Sequence, residues 1–364
     1  MRHKSSYSGS FDPGAGQRRF RLEEYVQIDC HQTVFFYKKT YMKKLVCIFM
    51  SVILMTLSGC QIFGNDGSLT TSYESHYEKN ETEIKEKTLD TMWQSKAAQV
   101  GVVSKKDADH VTYLNVKEAL LVNNETNEVL VAQKVFDQAF PASTTKIMTA
   151  LLTLENCDLN KIVTIKKDIK FKDGAAVALH LKAGDKITVE ALLNALIVMS
   201  ANDAAIALGE EIAGSEKAFV KMMNQRAKEL GATNTHFANP NGLHLENHYT
   251  TAYDLYLIFK ELTKHNEYFD IAGKSSSYIE YTNKKNQLQT YDMAATNQYI
   301  LGNYTLPHQV FMIGGKTGTT TQAGSCLIIL TKNKKGEEFI SVILKGKDKS
   351  SLYHTMSKIL SKEN

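Results

Sequence analysis

Residues 141–150 read PASTTKIMTA, a polar segment that passes directly into an apolar one. The apolar residues Ile147 and Leu151 follow at helical spacing, so we predict a helix that begins at Ser143. Residues three apart on a helix lie on one face, which lets the amine of Lys146 reach the hydroxyl of Ser143. A serine is a weak nucleophile without a base, and a lysine is a base only where burial or a nearby positive charge lowers its pKa. The spacing therefore indicates an activated serine, although an N-capping serine beside a solvated lysine gives the same pattern.

Two further polar motifs lie downstream of this helix. SAN at 200–202 ends an apolar segment, where a hydroxyl and an amide can relay a proton and hold a substrate amide. GGKTGT at 314–319 combines glycines that let a backbone approach a ligand with Lys316, whose charge can keep Lys146 neutral. Alone, each motif has an ordinary explanation as turn chemistry. All three in this order are far more specific than any one of them.

The composition and the motif spacing exclude several other classes of protein. With 43% hydrophobic and 23% charged residues among 364, the chain has ordinary globular proportions and ample length for a core. The net charge of +4 is small and the lysines are not grouped in runs, so no nucleic-acid partner is expected. No cofactor is expected, because GKT at 315–317 lacks the first glycine of a phosphate-binding loop, which is Val310 here. The five cysteines show no metal-ligand spacing, and the sequence leaves open whether Cys157 and Cys326 meet.

The remaining pattern predicts a mixed α/β domain. The expected strands are 119–122 and 129–131 around the turn 123–127, and 326–330 and 339–344 around the turn 333–336, with K-T-G just before the third strand. Further helices are expected over 191–199, from Ser215 to Gly231 and over 350–360. Strands at both chain ends with helices between them predict an antiparallel sheet built from both ends and packed against a helical subdomain.

The N-terminal region has the pattern of a targeting segment. Basic residues after Met42 precede an apolar run over 45–57, which is too short to span a bilayer comfortably. LSGC at 57–60 resembles the bacterial lipobox, so we predict a signal peptide over 42–59 and lipidation of Cys60. A membrane-anchor helix or a chance cysteine is the alternative. Residues 1–41 are interpreted as a non-native extension, 60–109 as a polar tether and 110–364 as the catalytic domain.

The motifs and their flanks resemble the D-alanyl-D-alanine carboxypeptidase family, the low-molecular-mass penicillin-binding proteins of serine peptidase family S11. The resemblance extends from about residue 119 to 360 and is carried by the segments 141–150, 199–205, 237–243 and 248–255. It implies a fold of the β-lactamase/transpeptidase type. It also implies a serine hydrolase that removes the terminal D-alanine from peptidoglycan stem pentapeptides and binds β-lactam antibiotics covalently. With the lipid anchor, we expect the enzyme at the extracytoplasmic face of the bacterial membrane.

The same resemblance assigns roles to single residues. It implies that Ser143 forms the acyl-enzyme, that Lys146 is its base, and that Ser200 and Asn202 complete the proton and substrate network. Substrate binding is implied for Lys316, Thr317, Gly318 and Thr319. The backbone N–H groups of Ser143 and Thr319 would form the oxyanion hole. No metal is expected.

The chain also departs from this family in two ways. The 48 residues after Lys316, 317–364, leave no room for the second β-rich domain and C-terminal anchor that members often carry. Some members bind the substrate carboxylate with an arginine beyond K-T-G, but the last arginine here is Arg226. Thr317 with Lys345, Lys347 or Lys349 is therefore expected to bind that carboxylate.

Three alternatives remain beside this interpretation. A class A β-lactamase shares the acylation step, but it carries S-D-N and a glutamate base. The sequence HLENH at 244–248 suggests a zinc peptidase. Its order differs from H-E-x-x-H, however, and the two histidines are better interpreted as loop residues. The third is a non-catalytic binding lipoprotein. The sequence leaves open the third residue of the stem peptide, a transpeptidase activity and the oligomeric state.

Overall fold

The computed structural model describes residues 100–101, 103, 114–171 and 176–364. The predicted extension 1–41, the signal peptide 42–59 and Cys60 lie outside these residues, as does most of the predicted tether. Of the tether, Gly101 is described, and its N–H donates to the hydroxyl of Tyr256 at 2.8 Å. The folded body therefore includes this residue.

The described residues form nine strands, which occur along the chain in groups separated by helices. The strands are β1 Val116–Asn123, β2 Val129–Gln133, β3 Ile162–Thr164, β4 Lys186–Thr188, β5 Ser276–Thr282, β6 Leu288–Ala294, β7 Val310–Thr320, β8 Gly324–Asn333 and β9 Glu338–Gly346. Five of them form an antiparallel sheet with the order β2-β1-β9-β8-β7. The first two strands thus pair with the last three, for example through Leu120 opposite Val342. This confirms the predicted sheet built from both chain ends.

Seven α-helices are present in the described part of the chain. They are α1 Lys146–Asn156, α2 Val189–Ile197, α3 Asn202–Ala213, α4 Glu216–Glu229, α5 Ala252–Leu262, α6 Asn266–Ala272 and α7 Lys349–Leu360. Two of the predicted helix starts are confirmed by their caps, because Thr188 Oγ1 accepts from Ala191 N at 3.1 Å and Ser215 Oγ from Ala218 N at 3.2 Å. The predicted C-terminal helix is confirmed as α7.

The two faces of the large sheet bury separate clusters of side chains. Successive strand residues point to opposite faces, so Leu120 and Val122 join one apolar cluster while Ala119 and Leu121 join the other. The first cluster includes the buried residues of α1, α2 and α5, which form the helical subdomain. The second cluster is covered by α7. The sheet is therefore the middle layer of the domain, with the helical subdomain on one face.

Three features of the fold differ from the sequence prediction. A second sheet, of order β3-β4-β5-β6, was not predicted, because its first two strands have three residues each and its last two are largely exposed. K-T-G precedes the predicted strand, here β8, as expected, but it also lies within a strand of its own, β7, which was not predicted. The helix at Ser143 begins as a single 3-10 turn, Ala142–Thr145, and the α-helix starts only at Lys146.

The cysteines of the domain are not joined. Cys157 is half-buried, Cys326 is fully buried, and both are free thiols. Within the described ranges, no helix is both long and apolar enough to cross a membrane.

Candidate active site

The 3-10 helix Ala142–Thr145, called the nucleophile turn below, presents Ser143 at the entrance to α1. Its first residue, Ala142, has a φ of 48°, a left-handed backbone conformation that residues other than glycine rarely adopt. This bend directs the following turn so that Ser143 Oγ lies 3.0 Å from Lys146 Nζ. The structure thus brings together the two residues that the S-x-x-K spacing predicted.

Lys146 is buried, with 1% of its surface exposed, and its amine has three oxygen neighbours. Its Nζ donates to Asn202 Oδ1 at 2.9 Å and to the carbonyl of Asn241 at 2.5 Å. A neutral amine has two N–H groups and one lone pair. Because both of these acceptors take an N–H, the lone pair is left for the hydroxyl of Ser143. The arrangement suits a base that removes the Ser143 proton.

The electrostatics of the site favour the neutral form of this amine. The pKa of Lys146 is well below its ordinary value, first because the amine is buried and second because Lys316 is close. The carboxylate of Asp203 acts in the opposite direction. The prediction that Lys316 helps to hold Lys146 deprotonated therefore agrees with the direction of the shift, although burial is the larger cause.

Ser200 and Lys316 form the second half of the site. Lys316, 2% exposed, donates to Ser200 Oγ at 3.0 Å and to the carbonyl of Thr317 at 2.9 Å. Burial lowers the pKa of Lys316 to about 7. Ser200 has a φ of 68°. Like Ala142, it is therefore a non-glycine residue in the left-handed region that lies in one of the predicted motifs. Backbone strain of this kind concentrates at functional sites, where the surrounding structure holds it.

Asn202 is the first residue of α3, and both ends of its amide are bound within the protein. Its Oδ1 accepts from Lys146, and its Nδ2 donates to the carbonyl of Val177 at 3.0 Å. The next residue, Asp203, is fully buried and was not singled out from the sequence. Its carboxylate accepts from the backbone N–H groups of Leu179 at 3.0 Å and Leu181 at 3.1 Å. Asp203 therefore holds the segment 177–181 against the motif.

Strand β7 carries K-T-G along the edge of the large sheet, beside the nucleophile turn. A Cβ on Gly318 would lie 2.9 Å from Ser143 N, so only glycine allows the strand to come this close. Thr319 follows on the exposed side, opposite Ser325 of β8. The structure thus places the two predicted oxyanion donors, Ser143 N–H and Thr319 N–H, on neighbouring elements.

The residues expected to bind a substrate carboxylate are only partly brought together. Thr317 Oγ1 lies 2.6 Å from the hydroxyl of Thr296, which the sequence analysis did not identify. Lys345 is directed elsewhere, because its ammonium donates to the carbonyl of Gln138 at 3.1 Å and lies 3.8 Å from Glu118 Oε1. Lys347 and Lys349 are exposed.

The loop 239–243 completes the site from the other side of Lys146. Asn239 shapes this loop, since its Oδ1 accepts from Gly242 N at 2.7 Å and its Nδ2 donates to the Leu243 carbonyl at 2.7 Å. Gly242 has a φ of 83° and lies against the carbonyl of Ala142. No role for this segment could be predicted from the sequence. Its role here is to present the Asn241 carbonyl to Lys146.

The histidines of segment 244–248 lie in a loop and have protein partners. His244 Nε2 is 3.2 Å from Glu246 Oε1, while His248 contacts Thr145 and the backbone of Ala238. Among the described residues, no three His, Cys, Asp or Glu side chains converge in a way that could hold a metal ion.

Comparisons with known proteins agree with this geometry. The family model described as D-alanyl-D-alanine carboxypeptidase, peptidase S11, matches residues 104–348. The carboxypeptidase DacF of Bacillus subtilis is 36% identical over 235 residues, which cover 63% of this chain and 58% of DacF. A D-alanyl-D-alanine carboxypeptidase of Streptomyces sp. strain K15 is 33% identical and is covered over 78% of its length.

Solved structures show the same fold. The Streptomyces K15 DD-transpeptidase superposes with a TM-score of 0.63 at 28% identity, over 69% of this chain and 97% of that one. Penicillin-binding protein D2 from Listeria monocytogenes, in its cefotaxime-bound form, gives a TM-score of 0.58 at 26% identity, over 70% of this chain and 98% of that one. The expected fold of the transpeptidase type is thereby confirmed. Because the family match spans the whole site, from the nucleophile turn to β7, this chain belongs to the D-alanyl-D-alanine carboxypeptidase family of S11 serine peptidases.

Proposed function

We propose that the protein is a serine-type D-alanyl-D-alanine carboxypeptidase that shortens peptidoglycan stem pentapeptides through an acyl-enzyme on Ser143. The observation that carries the proposal is the 3.0 Å contact between Ser143 Oγ and the buried amine of Lys146. The match covers only 58% of the length of DacF. The proposed activity and substrate are therefore argued from the geometry of this site.

The reaction follows from the positions of these groups. Lys146 takes the proton of Ser143, whose oxygen attacks the carbonyl carbon between the two D-alanines. The oxyanion that forms is stabilised by the N–H groups of Ser143 and Thr319. The proton held by Lys146 then passes to the departing amine, with Ser200, hydrogen-bonded to Lys316 at 3.0 Å, as the relay. Hydrolysis of the acyl ester by water restores the Ser143 hydroxyl and releases the shortened peptide. A β-lactam acylates the same hydroxyl.

The first test is covalent labelling with a fluorescent penicillin. The wild type should be labelled and Ser143→Ala should not, while Ser215→Ala, which changes the cap of α4, serves as a matched control. Lys146→Ala should acylate about 10²–10⁴-fold more slowly, because the general base is lost. Equal labelling of the wild type and Ser143→Ala would contradict the assignment of Ser143 as the nucleophile.

A second assay separates the carboxypeptidase from its alternatives. Release of D-alanine from a pentapeptide should exceed hydrolysis of penicillin, and the reverse order would identify a β-lactamase. The similar solved structures are titled DD-transpeptidase, which supports testing an amine acceptor as well. Transfer to an added amine faster than hydrolysis would make the enzyme a transpeptidase.

We also propose that Cys60 is lipidated and holds the enzyme at the extracytoplasmic face of the cell membrane. The basic start at 42–44, the apolar run and LSGC at 57–60 support this placement. In cells, Cys60→Ala should leave penicillin labelling intact but release the protein from the membrane fraction. Cys157→Ala should leave retention unchanged. Retention of Cys60→Ala would contradict the anchor.

A further inference from the structure

His248 is a buried histidine that the acyl-transfer scheme above does not use. Its side chain is fully enclosed, with 2% of the residue exposed, and it lies against the nucleophile turn although 103 residues separate it from Thr145. Its Nε2 is 2.8 Å from Thr145 Oγ1. Thr145 is the residue directly before Lys146 in S-x-x-K. A single buried imidazole therefore contacts the turn that carries the nucleophile.

The hydrogen-bond partners of the ring determine which of its nitrogens carries the hydrogen. The backbone N–H of Ala238 donates to His248 Nδ1 at 3.0 Å, so Nδ1 has no hydrogen. The hydrogen is then on Nε2 and is donated to Thr145 Oγ1, because a neutral imidazole has one donor and one acceptor. Thr145 in turn donates its own hydrogen to the Ala142 carbonyl at 2.8 Å. The result is a directed chain from Ala238 through His248 and Thr145 to Ala142.

This chain ends on the most strained peptide of the nucleophile turn. Ala142 has a φ of 48°, a conformation that is strained for any residue with a Cβ and persists only where neighbouring contacts hold it. Its carbonyl is held by Thr145 Oγ1 and lies against Gly242. If Ala142 relaxed, the direction of the next residue, Ser143, would change relative to Lys146 and Gly318.

We infer that His248 is a positioning residue for the acylation step: through Thr145 it holds Ala142 in the conformation that aims Ser143. The inference deepens the proposed function and rests on it. His248 touches neither the nucleophile nor the space in front of it, so its loss should slow acylation without weakening the first binding of a β-lactam.

The charge state of the ring is consistent with this role. The pKa of His248 is lowered to about 3, chiefly by burial and to a smaller extent by the nearby His236, His244 and Lys146. A protonated ring would set an Nδ1–H against the Ala238 N–H, two donors facing each other. At neutral pH the ring is therefore uncharged and serves as a fixed hydrogen-bond donor to Thr145.

The test uses rapid-mixing kinetics with a fluorescent penicillin, which separates the dissociation constant from the acylation rate constant. His248→Ala should lower the rate constant about 100-fold and leave the dissociation constant unchanged, as expected for a small displacement of the nucleophile. His248→Gln, whose amide N–H can still donate to Thr145, should recover most of the rate. His236→Ala is the matched control, since its ring bonds to the Asn247 carbonyl and not to the turn.

A second variant, at Thr145, removes the next hydrogen bond of the same chain. Thr145→Val should slow acylation to a similar extent, and the double variant His248→Ala/Thr145→Val should be no slower than either single one. Additive effects, or a normal rate constant in His248→Ala alongside a lowered melting temperature, would overturn the inference. If His248→Ala does not fold, Thr145→Val decides alone. If the wild type fails to label, the proposed function falls as well, whereas a labelled wild type with a normal His248→Ala rate removes only this inference.

Discussion

Single residues decide how the stability of this enzyme depends on pH. Lys146 and Lys316 are both buried with lowered pKa values, so the fold excludes from water two groups that prefer to be charged there. Neither side chain has a carboxylate among its hydrogen-bond partners, which are backbone carbonyls, a hydroxyl or an amide oxygen. This is costly for folding and useful for catalysis, because the same desolvation produces the free amine that activates Ser143.

Lys316→Met makes this cost measurable. The folded pKa of Lys316 is about 7 and the ordinary value is 10.5, so between these values the unfolded chain binds more protons than the folded one. The wild type should therefore gain stability as pH rises from 7 to 10. Lys316→Met should be more stable than the wild type at pH 6, and its advantage should shrink as pH rises.

Urea unfolding at several pH values checks this expectation. Lys334→Met, at an exposed turn position, should follow the wild-type dependence throughout. A constant difference between Lys316→Met and the wild type from pH 6 to 10 would contradict the lowered pKa.

At the scale of elements, the site depends on close approaches between segments that are distant in sequence. The pair Ser143 and Lys146 could be predicted from the sequence because both lie on one turn. The partners of Lys146 on α3 and on the loop 239–243, by contrast, are 56 and 95 residues away. No local pattern encodes such contacts. For the same reason Asp203 was not singled out, and α3 was not predicted because the S-x-N motif was interpreted as the end of one helix and not as the start of the next.

Gly242→Ala tests the contact between the loop 239–243 and the nucleophile turn. An added Cβ would lie 1.9 Å from the Ala142 carbonyl oxygen, so one of the two segments must move. Gly214→Ala is a close control, because Gly214 has a similar φ of 78° but no atom within 4 Å of an added Cβ.

Both variants should lose about 1 kcal/mol from the unfavourable φ. Only Gly242→Ala should also lose acylation, by about 100-fold. The measurements are urea unfolding and penicillin labelling rate. Equal labelling rates for the two variants would show that the loop does not constrain the turn.

At the scale of the whole domain, the site lies where the edge of the large sheet meets the helical subdomain. β7 supplies Lys316, α1 supplies Lys146, and the junction of α2 and α3 supplies Ser200. The large sheet and its origin in both chain ends could be predicted because its strands are apolar and bounded by clear turns. The small sheet could not, since β5 and β6 expose alternate residues of mixed polarity, including Tyr278 and Leu288.

An acyl group on Ser143 should therefore stabilise the entire domain. It would lie between elements of both layers, and although the ester bond survives unfolding, these non-covalent contacts are made only in the folded state. Penicillin should raise the melting temperature of the wild type by about 4 °C or more, which corresponds to roughly 1–2 kcal/mol for a domain of this size. Ser143→Ala should show no shift. A shift of the same size in both proteins would indicate binding elsewhere.

The free thiol of Cys326 lies beneath the nucleophile turn, with its sulfur 3.8 Å from the Phe140 carbonyl. Burial raises its pKa to about 12, so at neutral pH the thiol is protonated and the thiolate that oxidants and alkylating reagents attack is scarce. The sulfur thus packs against the backbone just before the nucleophile turn without offering a reactive thiolate. A change in redox conditions should therefore leave the acylation rate unchanged. Thiol-directed reagents should modify Cys157, which is half-buried, before they modify Cys326.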